Sequence, residues 1–283
     1  MKKIIFSLAF IVLLCGCENR NVLREKREKI LKGEKETEEK IDITSENTTE
    51  NEEKTSTLND VKENKVNESF VYGVINEDCD VFSYYDEGGI IGKFEKDEKV
   101  EVLRDRGYEW YLVNNENKNI NGWIYYKYLD IEADNYKKPE FMSRDELEEY
   151  VNEMGYESDT EKLVWVDIER QRVNIFEGKK GKWGLIKELD CASGKNVSST
   201  IKGEFEIGDR GEWFYSERLG SGAMWWVRIE DDYLFHSVAM DINGNVTDGI
   251  VGEKRSSGCV RMKVDDAKWF FDNIEEKSKC IIK

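Results

Sequence analysis

The apolar and polar positions divide this chain into three stretches, and each stretch predicts a different kind of structure. An unbroken apolar run from Ile4 to Leu14 follows a short basic start. Residues 18–67 contain no aromatic side chain and are rich in Glu, Lys, Asn and Thr. Beyond them, short runs of alternating apolar and polar positions predict a succession of β-strands.

The first stretch has the features of an export signal. Its apolar run is too short to span a bilayer but has the length of a signal-peptide hydrophobic region. It ends in Leu14-Cys15-Gly16-Cys17, which resembles the bacterial lipobox. We expect residues 1–17 to be a lipoprotein signal peptide with lipidation at Cys17. The protein would then be exported and lipid-anchored on the outer face of the bacterial cytoplasmic membrane, facing the cell wall. The alternative is an ordinary signal peptide with incidental cysteines.

The second stretch, residues 18–67, is expected to be a disordered charged linker. Its side chains cannot bury enough apolar area to offset the entropy lost on ordering. As a flexible tether, it would let the folded part of the chain extend from the lipid anchor into the cell wall.

Residues 70–131 are predicted to form a small β-barrel. Five short runs separated by polar or glycine-bearing turns carry this prediction: Val71–Val74, Ile90–Phe94, Lys99–Leu103, Trp110–Val113 and Gly122–Ile124. Their order resembles the bacterial SH3-like domain. The resemblance implies a module that binds cell-wall peptides or packs beside a catalytic domain, and a spacer without a ligand is the alternative. We expect this barrel to fold by itself.

After the barrel, a connecting helix is predicted within residues 140–160. Ser143 and Glu146 form a capping-box pattern, and Gly155 is placed to end the helix. From Leu163 the chain is rich in strands, with a hairpin first, a short helix after Met262 and a last strand near Lys279. The fold class is therefore mostly β, with a barrel followed by a β-rich domain at 162–283 that carries short helices.

Charge and cysteine usage exclude several functions. The net charge of −17 argues against nucleic acid as a partner, since phosphate binding needs clustered Lys and Arg. With one histidine and no ligand cluster, neither a metal nor a cofactor is expected. Cys79, Cys191 and Cys280 lie among apolar neighbours and are expected to be buried thiols, with one disulfide as the alternative.

The chemistry points to one histidine and one cysteine. His236 is the sole histidine and lies 23 residues before Cys259. A thiol nucleophile needs a base, and we expect His236 to form an ion pair with Cys259 that lowers the thiol pKa. Gly258 allows close backbone approach, so the amides of Gly258 and Cys259 could face an oxyanion. The alternatives are a structural histidine, and a metal or disulfide role for Cys259.

The surrounding residues resemble the L,D-transpeptidase (YkuD-like) catalytic domain over about 162–283. The resemblance rests on Phe235-His236-Ser237, on Ser256-Ser257-Gly258-Cys259-Val260-Arg261-Met262 and on the hairpin around Gln171. Where many members have Thr-Pro before a glycine, this chain has Thr200-Ile201-Lys202. The resemblance implies that Ser237 orients His236 through its backbone carbonyl. It also implies that Arg261 and Ser257 contact substrate, with a structural salt bridge as the alternative for Arg261.

The same resemblance implies an acyltransferase that acts on peptidoglycan stem peptides and forms 3→3 cross-links through a cysteine thioester. If water accepts the acyl group, the enzyme is an L,D-carboxypeptidase that trims tetrapeptide stems. A non-catalytic, wall-binding lipoprotein is the alternative outside enzymes. Because His236 and Cys259 lie far beyond the barrel, we expect a chain that starts near residue 140 to retain catalysis on soluble muropeptides.

Overall fold

The computed structural model describes residues 66–67, 69–86, 88–134 and 137–283. The predicted signal peptide, the lipidation site Cys17 and nearly all of the predicted linker at 18–67 lie outside the described residues.

An antiparallel sheet of seven strands forms the N-terminal part, in the spatial order β3-β2-β6-β5-β4-β1-β7. Its strands are β1 (Tyr72–Ile75), β2 (Cys79–Phe82), β3 (Ile90–Phe94), β4 (Lys99–Arg106), β5 (Trp110–Asn115), β6 (Ile120–Tyr125) and β7 (Leu129–Ile131). Alternate side chains face inward, and Ile75, Val81, Phe94, Val113 and Ile124 are fully buried in its core. The five predicted strands are present, and β2 and β7 are additional. The likeness to SH3-like domains stays a prediction.

The helix α1 (Arg144–Met154) begins and ends where the sequence predicts. The Ser143 side chain accepts from the Glu146 amide, the Glu146 carboxylate accepts from the Ser143 amide, and Gly155 is left-handed at φ 68°. Leu147 and Val151 pack this helix against buried aromatic side chains of the second sheet. The capping box is therefore confirmed.

A second sheet of eleven strands makes up the C-terminal part. Its strands are β8 (Lys162–Asp167), β9 (Arg172–Glu177), β10 (Gly184–Ala192), β11 (Gly203–Glu206), β12 (Arg210–Ser216), β13 (Ser221–Glu230), β14 (Tyr233–Ser237), β15 (Ala239–Met240), β16 (Val246–Asp248), β17 (Val260–Met262) and β18 (Lys279–Ile282). The sequence predicts seven of these strands, namely β8, β9, β10, β11, β13, β14 and β18. It does not predict β12, β15, β16 or β17.

Most strand pairs of this sheet are antiparallel, but β8 with β18 and β14 with β17 are parallel. The helix α2 (Val264–Asn273) packs on the sheet through Ala267 and Phe270, which are fully buried in the main core. No helix in the described part of the chain is long and apolar enough to cross a bilayer.

The N-terminal sheet contacts the C-terminal domain directly, which is one of the two arrangements that the resemblance of residues 70–131 implies. The Tyr111 hydroxyl donates to the Val197 carbonyl at 2.8 Å, and the Ser198 hydroxyl donates to the Asp105 carboxylate at 2.7 Å. Lys202 bonds the carbonyl of Ser69 at 2.5 Å. Both Tyr111 and Asp105 belong to the N-terminal sheet, so this sheet buttresses the domain that carries His236 and Cys259.

Candidate active site

Parallel pairing of β14 with β17 brings the predicted catalytic residues together. His236 lies opposite Arg261 in the register of this pair. Side chains alternate between the two faces of a sheet, and Cys259 precedes Arg261 by two residues. His236 and Arg261 therefore lie on one face of this pair, and Cys259 lies directly before β17, two residues ahead of Arg261.

His236 is a buried, oriented and neutral imidazole. Its side chain is 5% exposed, and its Nδ1 lies 2.6 Å from the Ser237 carbonyl oxygen. Because a carbonyl only accepts, Nδ1 carries the proton and Nε2 keeps its lone pair. Burial lowers the pKa of His236 to about 4, and the neighbouring Arg261 contributes to the lowering. The ring edge of Phe214 packs against the imidazole at 5.3 Å between centroids.

Cys259 is a half-buried thiol directly before β17. Its Sγ donates to the Asp232 carbonyl at 3.6 Å. Burial raises the pKa of Cys259 to about 11, which the Leu234 backbone and the Arg261 charge only partly oppose. With the pKa of His236 lowered, the resting pair is neutral. The predicted ion pair with a lowered thiol pKa is therefore wrong, because desolvation disfavours both charges.

Gly258, the residue before the nucleophile, has a backbone conformation that residues with a side chain rarely adopt. Its φ is +100°, and a Cβ there would lie 2.7 Å from the Tyr233 ring. A side chain at this position would both strain the backbone and collide with β14. The contact of Gly258 with Tyr233 is a packing feature of the folded chain, and the predicted role of the Gly258 amide at an oxyanion stays a prediction.

A series of buried hydrogen bonds fixes the loop before Cys259. The Gln171 amide donates to the Ser193 hydroxyl at 2.7 Å and accepts from the Ser193 amide at 2.8 Å. The Ser193 carbonyl accepts from the Ser256 amide at 2.9 Å. Ser256 in turn donates its hydroxyl to the Cys259 carbonyl at 2.5 Å. The Gln171 hairpin on which the family resemblance partly rests therefore supports the nucleophile loop through two serines.

Arg261 faces the site with part of its hydrogen-bonding capacity unused. Its side chain is 15% exposed, and its nearest carboxylate is Asp248 at 3.6 Å. Asp248 is already bonded by Arg255 at 2.6 Å and 2.8 Å. The buried Nε of Arg261 has no hydrogen-bond partner among the described residues. Arg261 is thus a buried cation that an anionic group could approach.

The two predicted serines differ in what the structure shows of them. Ser237 orients His236 through its carbonyl, as expected. Its hydroxyl also accepts from the Met224 amide at 2.9 Å and donates to the Val238 carbonyl, which ties β14 to β13. Ser257 is half-buried beside the nucleophile, and its substrate contact stays a prediction.

Several residues at this site could not be found by sequence reasoning. Asp232, whose carbonyl accepts from the thiol, is bonded through its carboxylate to Arg106 at 2.7 Å. Arg104 bonds Asp231 at 3.0 Å. The two arginines belong to β4 of the N-terminal sheet. A chain that starts near residue 140 lacks both arginines, and its predicted retention of catalysis stays a prediction.

The side-chain chemistry of the site is that of a nucleophile and a base. Within the residues that the structure describes, no three His, Cys, Asp or Glu side chains gather as metal ligands would. Cys79, Cys191 and Cys280 are buried free thiols. Burial raises the pKa of each, so they are inert beside Cys259.

Comparison with known proteins finds relatives of the C-terminal domain. Residues 161–282 match the family model of the YkuD, or L,D-transpeptidase, catalytic domain. A candidate L,D-transpeptidase, YciB of Bacillus subtilis (strain 168), is 36% identical over 130 residues. That match covers 43% of this chain and 66% of the relative, which is just under two thirds of the relative's length.

Two solved structures show a weaker likeness. One is a fused Zn-dependent amidase/peptidase/peptidoglycan-binding domain-containing protein from Clostridium acetobutylicum ATCC 824, at 28% identity and a TM-score of 0.42, covering 50% of this chain and 59% of that one. The other is an L,D-transpeptidase from Mycobacterium smegmatis, at 16% identity and a TM-score of 0.35, covering 44% of this chain and 58% of that one. Since both TM-scores are below 0.5, no functional conclusion rests on them.

Proposed function

We propose that this chain is a peptidoglycan L,D-transpeptidase with Cys259 as its nucleophile, and the match of residues 161–282 to the family model of L,D-transpeptidase catalytic domains supports the proposal. The observation that carries the proposal is that the strand with His236 pairs with β17, which Cys259 directly precedes, while the imidazole is fixed by the Ser237 carbonyl. A base within reach of a thiol, oriented by a third group, is the arrangement that cysteine acyltransfer requires.

In the first half of the reaction, Nε2 of His236 takes the Cys259 proton as sulfur attacks the carbonyl of the third stem residue. The neutral resting pair means that the proton moves during the attack rather than before it. The carbon–nitrogen bond to the terminal D-alanine then breaks, and the imidazolium gives its proton to the leaving amine. The products are free D-alanine and a thioester on Cys259.

In the second half, an amine from a neighbouring stem attacks the thioester carbonyl and gives its proton to His236. The carbon–sulfur bond breaks, the sulfur regains a proton, and the product is a 3→3 cross-link. The oxyanion of each tetrahedral step would form beside the amides of Gly258 and Cys259. If water replaces the amine, the same steps make a trimmed tripeptide stem.

We propose further that the enzyme is exported and held at the membrane by lipid on Cys17. The support is the sequence of residues 1–17, and the charged composition of 18–67 suits a tether between membrane and wall. The seven-stranded sheet would be an SH3-like module that faces the same wall. Peptidoglycan stem peptides are the substrate class of this proposal.

The proposed reaction is tested by the products formed from a tetrapeptide-stem muropeptide. The full-length protein should release D-alanine and form dimers whose mass and fragmentation show a link between two third residues. Tripeptide stems without dimers would assign carboxypeptidation instead. Unchanged muropeptide would contradict both and leave a catalytically inactive domain.

A further inference from the structure

The loop between β10 and β11 contains a short turn that the N-terminal part of the protein holds in place. This turn is the 3₁₀ helix Asn196–Ser198. The Val197 carbonyl accepts from the Tyr111 hydroxyl at 2.8 Å, and the Ser198 hydroxyl donates to the Asp105 carboxylate at 2.7 Å. Tyr111 and Ser198 are buried. Two strands of the N-terminal sheet therefore each hold one residue of the turn.

Asn196 attaches the same turn to the segment that follows β7. Its backbone amide donates to the Asp134 carboxylate at 2.8 Å. Its side-chain Nδ2 donates to the carbonyls of Glu132 and Ala133, each at 3.2 Å. Asn196 is only 5% exposed. Because an unpaired buried donor is costly, these bonds fix the position of Asn196 relative to the segment 132–134.

The other end of the Asn196 side chain bonds the nucleophile loop, which comprises residues 254–259. Its Oδ1 accepts from the Lys254 ammonium at 2.9 Å. This ammonium is partly buried, and burial lowers the pKa of Lys254. An amide can donate through nitrogen and accept through oxygen at once, which neither an apolar side chain nor a carboxylate can do. Asn196 therefore joins the segment after β7 to the loop that ends at Cys259.

Further hydrogen bonds continue this connection up to the nucleophile. The amides of Arg255 and Ser256 both donate to the Ser193 carbonyl, at 2.7 Å and 2.9 Å. The Ser256 carbonyl accepts from the Lys195 amide at 3.1 Å. The Ser256 hydroxyl donates to the Cys259 carbonyl at 2.5 Å. A shift of the β10–β11 loop would therefore displace the loop that ends at Cys259.

We propose that Asn196 is a positioning residue for Cys259: it is anchored by the segment 132–134 and acts on the nucleophile loop through Lys254. The part of the chain before the C-terminal domain would then help to set the position of the nucleophile. Asn196 has no part in making or breaking bonds. The proposal rests on the function proposed above, and it adds residues that lie outside the match to the catalytic family model.

The main test is Asn196→Ala in the full-length protein. Since a displacement of about 1 Å can cost about 10²-fold in rate, kcat for D-alanine release from the tetrapeptide muropeptide should fall by about tenfold or more. KM should stay within about twofold, because no proposed substrate contact is changed. Hydrogen exchange measured by mass spectrometry should become about threefold faster in the peptide that contains residues 254–259.

Asn152→Ala is the matched control. The Asn152 side chain joins α1 to the residue before β10: it donates to the carbonyls of Glu148 and Trp183 at 2.8 Å and 2.9 Å, and accepts from the Trp183 amide at 2.7 Å. Both substitutions therefore remove three side-chain hydrogen bonds. Asn152→Ala should lower the melting temperature but leave kcat and the exchange of the nucleophile loop unchanged. Equal falls of kcat in the two variants would mean that lost stability slows turnover, and would overturn the proposal.

Lys254→Met tests whether the two bridging residues act in series. Methionine keeps much of the length of the lysine side chain but cannot donate to Asn196. If the two residues form one path, the double variant should turn over no more slowly than the slower of the two single variants. Falls of kcat that multiply in the double variant would show two separate effects and would overturn the bridge.

Tyr111→Phe decides the question if Asn196→Ala does not fold. It removes one hydroxyl, and with it the bond to the Val197 carbonyl, while the ring stays in the core of the N-terminal sheet. With one bond lost, kcat should fall about threefold at unchanged KM, and exchange of residues 254–259 should become faster. Wild-type values of both would then overturn the proposal.

The exchange measurement separates this inference from the proposed function, because it needs no turnover. A wild type that releases no D-alanine would overturn the proposed function, and faster exchange in Asn196→Ala but not in Asn152→Ala would still support the bridge. An active wild type whose kcat and loop exchange are both unchanged by Asn196→Ala would overturn the bridge and leave the proposed function standing.

Discussion

The Nδ1 atom of His236 lies 2.6 Å from the carbonyl oxygen of Ser237, the residue that follows it in the chain. This contact fixes the tautomer of the imidazole without a charged partner, so the base carries no carboxylate to raise its pKa. In many catalytic pairs a carboxylate has that role. In this protein the base and the thiol are both neutral before substrate binds. Several measurements distinguish this arrangement from a resting ion pair.

The base His236 can be removed by a substitution that changes the size of the side chain little. We expect His236→Gln to lower the rate of D-alanine release by about 10²–10⁴-fold, the usual contribution of general acid–base catalysis. The measurement is kcat by chromatography of released D-alanine. A variant within fivefold of the wild type would show that another group moves the proton.

The pH dependence of thiol alkylation reports the resting state directly. With the Cys259 pKa raised to about 11, the alkylation rate should rise about tenfold per unit between pH 7 and pH 9. Mass spectrometry of the Cys259 peptide after timed exposure to iodoacetamide gives the rate. A resting ion pair would instead give a rate that is flat over this interval.

Stability should depend on pH through His236. Its pKa is lowered from 6.5 to about 4, so the unfolded chain binds a proton in this range and the folded chain does not. The wild type should therefore lose about 3 kcal/mol of unfolding free energy from this group as the pH falls from 7 to 4. His236→Gln lacks this loss, whereas carboxylates titrate in both proteins. Urea denaturation gives the unfolding free energy of both proteins at pH 7 and at pH 4. The value for the wild type minus that for His236→Gln should be smaller at pH 4 than at pH 7. An equal value at the two pH values would contradict the buried neutral imidazole.

A single methyl group at Gly258 should disturb the nucleophile. Gly258→Ala combines a φ of +100° with a contact of 2.7 Å to the Tyr233 ring, so we expect a loss of about 2 kcal/mol and at least tenfold lower turnover. Gly181→Ala is the control, because its φ is +72° but nothing lies within 4 Å of the added carbon. It should cost about 1 kcal/mol and leave turnover unchanged. Equal losses in the two variants would mean that strain alone, and not the Tyr233 contact, matters at Gly258.

The membrane anchor is tested separately from the catalysis. Cys17→Ala should move the protein from the membrane fraction to the soluble or secreted fraction, since lipid on this residue is the proposed attachment. Fractionation followed by immunoblotting gives the answer. A protein that stays with the membrane would indicate a retained signal helix.

Local patterns in the sequence predicted local structure well. The capping box at Ser143 and the hairpin before and after Gln171 are set by neighbours in the chain, and both are present. The strand β12 was missed because none of its side chains is buried, so it shows no alternation of buried and exposed positions. It is held by β13 rather than by a core of its own.

Long-range features of the site could not be predicted in the same way. His236 and Cys259 were identified because residue type alone marks a base and a nucleophile. Arg106 carries no such mark, and it contacts Asp232 only because the N-terminal sheet lies against the C-terminal domain. Burial of the Cys259 thiol is likewise a property of the folded chain, so the sequence predicted the direction of its pKa shift wrongly.

The central claim is that Cys259 forms a thioester with the donor stem, and intact-mass spectrometry tests it most directly. Full-length wild type and Cys259→Ala are mixed with tetrapeptide muropeptide and quenched in acid within seconds to minutes. The wild type should gain the mass of the donor minus D-alanine, located on the Cys259 peptide and removed by hydroxylamine. Cys259→Ala should gain no mass and release no D-alanine. Release of D-alanine by Cys259→Ala, or an adduct on any other residue, would contradict the account.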